Sequence, residues 1–181
     1  VCVDGVPLRF AAARTYIMLH KPRGYVTTLS DERGRPTVAE LVRDAGARLY
    51  PVGRLDMDSE GLLLLTDDGA FANALTHPSH EIDKVYRVTV SGDVAAALPR
   101  LRAMREIDGE PIRAPRVELS PDGALLITIH EGKNRQVRRM CAAAGLSVRR
   151  LVRVAEGALA LGDLPVGTWR YLTADEVNSV K

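Results

Sequence analysis

Cysteine is nearly absent from this chain, with Cys2 and Cys141 the two among 181 residues. Two isolated thiols cannot form a disulfide framework, so a small secreted scaffold is excluded and a reducing cytoplasm fits. Cys141 sits among apolar residues and reads as a structural thiol. No apolar run approaches the roughly 18 residues of a membrane span, and no charged-then-apolar leader opens the chain. Gly132-Lys133 lacks a Gly-rich run before it, which excludes a nucleotide-binding P-loop. Acidic residues are missing from Lys133 to Arg153, a stretch holding Lys133, Arg135, Arg138, Arg139, Arg149, Arg150 and Arg153. Net charge is only +2, so this clustering, and not the total, points to a phosphate-binding surface. The first residue is Val1 and not Met, and Val1 to Gly5 read as a strand entering a turn. The expectation is that the chain begins inside a longer protein.

What is present suits a sheet. Hydrophobic residues make up 46% of the chain, punctuated by 15 Gly and 10 Pro, a pattern of short strands and turns with enough apolar material for one medium domain. Thr15–His20, a Lys21-Pro22-Arg23-Gly24 turn and Tyr25–Thr28 read as strand, turn and strand. Val38–Arg43 reads as a short helix. Asp68 is placed to cap a helix reaching Thr76, with Phe71 and Leu75 on one face. Lys84–Val90 alternates strictly, with Tyr86 facing inward or toward a pocket. A helical stretch after Asp93 is interrupted by Pro99. Asp108-Gly109 and Pro121-Asp122-Gly123 signal hairpin turns. Asn134 reads as the N-cap of a helix over Arg135–Ala144, stopped by Gly145. Val148–Val154 and Ala158–Leu161 read as closing strands.

The chemistry concentrates in Gly53-Arg54-Leu55-Asp56-Met57-Asp58-Ser59-Glu60-Gly61, a charged loop running into Leu62-Leu63-Leu64-Leu65-Thr66. A buried strand thus holds a reactive carboxylate at its entrance. The bland reading is a solvated acidic loop. A sharper rival is a calcium loop, because Asp56, Asp58 and Glu60 occupy its positions 1, 3 and 5, with Asp67 at 12. The flanks oppose it, since Pro51, Gly53 and the Asp67-Asp68-Gly69 turn stand where helices are required. His77 and His80 straddle Pro78 as a surface turn, and no zinc-ligand spacing completes them.

Taken in order, Lys21-Pro22-Arg23-Gly24, Gly53-Arg54-Leu55-Asp56 with Gly61–Thr66, Lys84-Val85-Tyr86-Arg87-Val88, and Gly132–Met140 resemble the RsuA/RluB/RluE/RluF family of ribosomal RNA pseudouridine synthases, most of all its large-subunit type. Leu151-Val152-Arg153 with Gly157 resembles the family's remaining signature. The resemblance covers nearly everything after Thr15. It implies an α+β pseudouridine synthase fold: a large, mixed, mainly antiparallel bent sheet flanked by helices and loops, with the active-site cleft across it. Residues 15–181 would be the catalytic domain, and 1–14 the tail of an S4-like RNA-binding domain and its connector.

The resemblance also implies roles. Asp56 is the catalytic carboxylate, acting on ribose C1′ as nucleophile or removing the C2′ proton, and the sequence does not choose between these. Arg138 is its guanidinium partner. Tyr86, on its own an ordinary strand aromatic, becomes the platform for an extruded base. Arg54, Lys133, Asn134, Arg135, Arg139, Leu151, Lys21 and Arg23 are the expected RNA contacts, with Leu151 packing under the base. No metal or other cofactor is expected. The expected partner is ribosomal RNA, with the large subunit favoured, acted on by a cytoplasmic monomer that has no membrane attachment. From another functional class, a noncatalytic RNA-binding or ribosome-assembly module of the same fold is the alternative, and the joint presence of Asp56, Tyr86 and Arg138 weighs against it.

Overall fold

The computed structural model describes residues 14–180. Residues 1–13 of the expected S4-like tail and connector, Cys2 among them, lie outside the described residues. The core is a nine-stranded sheet in the order β11-β1-β3-β9-β4-β8-β7, with β2 also paired to β3 and β10 to β9. Its strands are β1 (Tyr16–Lys21), β2 (Tyr50–Val52), β3 (Glu60–Thr66), β4 (Lys84–Ser91), β7 (Arg116–Leu119), β8 (Leu125–Ile129), β9 (Ser147–Glu156), β10 (Leu159–Ala160) and β11 (Trp169–Tyr171). A separate hairpin pairs β5 (Glu106–Ile107) with β6 (Glu110–Pro111). All strand pairs are antiparallel except β3 with β9, so the mixed, mainly antiparallel α+β architecture expected from the sequence is the one found.

β3 is buried along its whole length because both faces of the sheet are covered, which is why it reads as an unbroken apolar run. Leu63 and Leu65 face one core with α1 (Val38–Leu41), α3 (Val94–Ala103) and α4 (Gln136–Ala143). Leu62 and Leu64 face the other, with Phe71 and Leu75 of α2 (Gly69–Thr76) and Val177 of α5 (Ala174–Asn178). The Asp68 carboxylate accepts from the N–H groups of Ala70 and Phe71, as its capping position predicts.

The parallel join between β3 and β9 holds the two halves of the sheet together through two register pairs, Glu60 with Val152 and Gly61 with Arg153. The strands approach so closely that a Cβ on Gly61 would lie 2.3 Å from the Arg153 carbonyl oxygen. Only glycine fits, and its φ of +114° also belongs to glycine. The loop preceding β3 is therefore delivered onto β9 and β4.

Several expectations are corrected. Tyr25–Thr28 is not a strand: Gly24, at φ +89°, swings the chain toward the charged loop, where its N–H donates to Met57 O at 2.8 Å. Val26 makes only an isolated parallel bridge with Thr37. Pro99 does not break α3, which runs through it with Ala97 and Leu101 buried beneath. The helix at Val38 ends at Leu41 and tightens into a 3-10 turn over Arg43–Ala45. The N-cap of α4 is Arg135 and not Asn134, because Arg135 adopts φ +50° while Gln136 accepts from Lys133 N–H at 3.1 Å. Glu60–Thr66 being a strand also separates Asp67 from Asp56 by roughly 20 Å of extended chain, so no calcium loop forms. Among the described residues no three His, Cys, Asp or Glu side chains are grouped to hold a metal ion, and no helix is long and apolar enough to cross a membrane.

Candidate active site

The loop before β3, the approach to α4, the start of β4 and the second half of β9 line a cavity of about 540 Å³. Asp56 stands at its mouth with 41% of its side chain exposed. Tyr86, Leu151 and Arg153 line it from the sheet, with Tyr86 opposite Arg153 in the β4–β9 register. Arg54, Lys133, Asn134 and Arg135 line it from the loops.

Lys21 shapes the loop from beneath. It is fully buried, and its Nζ donates to the carbonyls of Pro22 at 3.0 Å, Asp56 at 3.0 Å and Ser59 at 2.7 Å. Burial pulls its pKa down to about 8, although Asp56, Asp58 and Glu60 pull the other way. This corrects its assignment as an RNA contact, since an ammonium enclosed by loop carbonyls cannot reach a phosphate. Arg23 is exposed and lines a shallow depression with Asp56, Met57, Asp58 and Arg135.

The guanidinium in ionic contact with Asp56 belongs to Arg135, at 3.3 Å. Arg135 also grips the Asp58 carboxylate with both terminal nitrogens, at 3.0 and 2.8 Å. Arg138, the expected partner, instead donates to the backbone carbonyl of Asp58 at 2.7 Å, and lies 3.6 Å from the Asp58 carboxylate. One helical turn separates the two arginines, so both face the loop, but the left-handed cap carries Arg135 farther over it. Burial lowers the pKa of Arg138, opposed by Asp58. The Arg135 hydrogen bonds lower that of Asp58.

Buried Gln136 ties α4 in place, accepting from Lys133 N–H and donating to Glu131 at 2.9 Å. Arg139 points elsewhere: it lies 3.1 Å from Asp108 and 3.5 Å from Glu110 on the β5–β6 hairpin, and does not line the cavity. Arg150 is held bidentately by Glu60, and Arg149 donates to Ser91. The basic run is thus divided, one part at the cavity and the rest paired along the surface.

Lys84, Glu131, Gln136 and Glu156 also line the cavity, although no sequence pattern marks them as site residues. Lys84 lies opposite Glu156. Burial lowers its pKa, opposed by the Glu156 charge. Burial likewise acts against the charge on Arg153, but Tyr86 and Glu156 beside it outweigh that effect and raise its pKa. Cys141 is buried in the core, and burial pushes its thiol up to about 11, as a structural cysteine requires.

A half-exposed carboxylate held by a cation, an aromatic ring and an apolar floor in one open cavity suit a nucleoside extruded from a polymer. The sequence profile of the RNA pseudouridylate synthase family matches residues 15–143. An uncharacterized RNA pseudouridine synthase of Mycobacterium tuberculosis is 44% identical over 99% of this chain and 74% of its own length. Ribosomal large subunit pseudouridine synthase B of Bacillus subtilis is 43% identical over 92% of this chain and 71% of its own. A crystal structure of a pseudouridylate synthase superposes with a TM-score of 0.80 at 33% identity, over 93% of this chain and 74% of that one. The human RNA pseudouridylate synthase domain containing 1 shares the fold at a TM-score of 0.57 and 15% identity, over 93% of this chain and 91% of that one. The chain belongs to the RNA pseudouridine synthase family, enzymes that isomerise uridine to pseudouridine within RNA.

Proposed function

We propose that this protein isomerises a uridine of large-subunit ribosomal RNA, with the Asp56 carboxylate acting at the ribose. The observation that carries the reading is the joint placement of Asp56, its Arg135 contact and Tyr86 on one open cavity. The name of the Bacillus subtilis relative supports the large subunit as the substrate. In this reading the C1′–N1 bond breaks, the freed base turns over, and a C1′–C5 bond forms as the C5 proton leaves and N1 gains one. Atoms balance without an oxidant. Asp56 either attacks C1′ or removes the C2′ proton.

Extruding the target nucleotide costs on the order of a few kcal/mol, and stacking on Tyr86 offsets roughly 1–3 kcal/mol of that. Leu151 packs under the base, while Arg138 holds the loop that carries Asp56. Arg54, Lys133, Asn134, Arg135 and Arg23 contact the RNA around the mouth. Residues 15–181 are the catalytic domain, and 1–14 are the tail of an S4-like RNA-binding domain and its connector. The enzyme works as a cytoplasmic monomer without a cofactor.

The test is pseudouridine mapping of ribosomal RNA from cells lacking the protein. One large-subunit site should disappear and return with the wild-type protein, but not with Asp56→Asn, which should lose roughly a thousandfold or more in turnover while melting normally. Return of the site with Asp56→Asn would refute the assignment.

A further inference from the structure

Two buried polar atoms of the cavity lining have no hydrogen-bond partner among the described residues: Nη2 of Arg153 and Oε1 of Glu156. Both residues are 3% exposed. Buried polar groups are almost always paired, so such atoms call for an explanation. Arg153 is fixed in place by its Nε, which donates to Leu62 O at 2.9 Å and lies 3.7 Å from Glu156 Oε1. The nearby Tyr86 hydroxyl favours the charge of that guanidinium without supplying the partner Nη2 lacks.

In a regular strand residues three apart point to opposite faces. Here Tyr86 pairs with Arg153 and Val85 with Ala155, so Val154 is an extra residue in β9. This bulge turns Arg153 and Glu156 to the same face, beside Tyr86 and Lys84, as bulges near active sites do. A fixed donor and a fixed acceptor thus stand together in the lining of the cavity that Asp56 enters. Uracil offers the complement: an N3–H donor flanked by two carbonyl acceptors. Cytosine does not, because its N3 is a lone pair that would face a carboxylate.

We propose that Arg153 and Glu156 read the base of the extruded nucleotide, Glu156 accepting from uracil N3–H and Arg153 donating to the adjacent carbonyl. The proposal rests on the uridine isomerisation proposed above and adds the source of base selection. It also matches the geometry of the rearrangement. Exchanging N1 for C5 at the sugar means turning the ring by half a revolution about its N3–C6 axis, which swaps O2 with O4 and leaves N3–H in place. A carboxylate on that axis holds the base throughout, and Arg153 meets an equivalent carbonyl before and after. Glu156 is then a pivot as well as a specificity-determining residue.

The test needs no RNA target. Uridine 5′-monophosphate, its 3-methyl derivative and cytidine 5′-monophosphate are titrated into the full chain and followed by NMR. The wild-type protein should favour the uridine nucleotide over the other two by about tenfold or more. Glu156→Leu should flatten all three. Glu156→Gln, nearly isosteric, should narrow the gap to cytidine, because a carboxamide can turn to donate or accept. Asp56→Asn should keep the full preference, since it acts at the sugar. Equal binding of the three nucleotides by the wild type, or an undiminished preference in a Glu156→Gln protein of normal melting temperature, overturns the proposal. Base preference that follows Glu156 with no pseudouridine formed in RNA would count against the proposed reaction and not against this pair.

Discussion

Gly61 and Arg153 meet backbone to backbone: a Cβ at Gly61 would stand 2.3 Å from the Arg153 carbonyl oxygen and 2.5 Å from its nitrogen. The same contact joins the two halves of the sheet and sets the loop of Asp56 against the strand that lines the cavity. Structure and site therefore share one point of failure.

Gly61→Ala should separate β3 from β9. Steric overlap with immovable backbone adds to the positive-φ penalty, and a loss of about 3 kcal/mol is expected, or roughly 6–12 °C in melting temperature for a chain of this size. Gly123→Ala is the control. Gly123 also has a positive φ, +92°, but nothing lies within 4 Å of its would-be Cβ, so about 1 kcal/mol is expected. Equal losses in the two variants would show that crowding at Arg153 is unimportant.

Much of this arrangement is legible in the amino-acid order, and the exceptions share a cause. The apolar run Leu62–Leu65, the Asp68 cap and the turns at Asp108 and Pro121 depend on local chemistry, and each is found. Asp56, Tyr86 and Leu151 are brought to one cavity as expected. The shared face of Arg153 and Glu156 is not legible, because alternation places them apart and only the extra Val154 unites them. Whether Arg135 or Arg138 reaches Asp56 is equally hidden, since a helix continued back through Arg135 would put both on one face, and the left-handed cap decides. Lys21 looks like a solvent-facing turn residue until the loop folds over it.

Arg135 holds Asp58 bidentately and touches Asp56, from a φ of +50° that costs a non-glycine residue about 1–2 kcal/mol. Arg135→Ala should lower kcat/KM for RNA by about ten- to a hundredfold with little change in melting temperature, because Asp56 loses its cation and the RNA loses a contact. Asp58→Asn should cost several-fold only, since it loosens Arg135 without removing it. Single-turnover assays on ribosomal RNA rank these two variants against Asp56→Asn. A loss for Asp58→Asn as deep as that for Asp56→Asn would mean that Asp58 shares the chemistry.

Lys21 makes the loop's geometry sensitive to alkali. Its Nζ holds the carbonyls of Pro22, Asp56 and Ser59, so Lys21→Met should leave them unpaired and cost about 3 kcal/mol. Burial lowers its pKa in the folded protein to about 8, against about 10.4 in the unfolded chain. Below pH 8 both states carry the proton, and the folded state bears the full burden of a buried charge. Between about pH 8 and 10.4 the folded state has released the proton while the unfolded state retains it, so this group makes stability rise with pH. The neutral amine, however, has two N–H bonds for three carbonyls. Wild-type turnover should therefore begin to fall above about pH 8 as the Asp56 loop loosens, even as the stability difference between wild type and Lys21→Met grows. Denaturant melts and single-turnover rates measured from pH 7 to 9.5 check both trends. A stability difference that stays flat across that range would show that Lys21 keeps its proton, and would remove the reason for the loop to loosen.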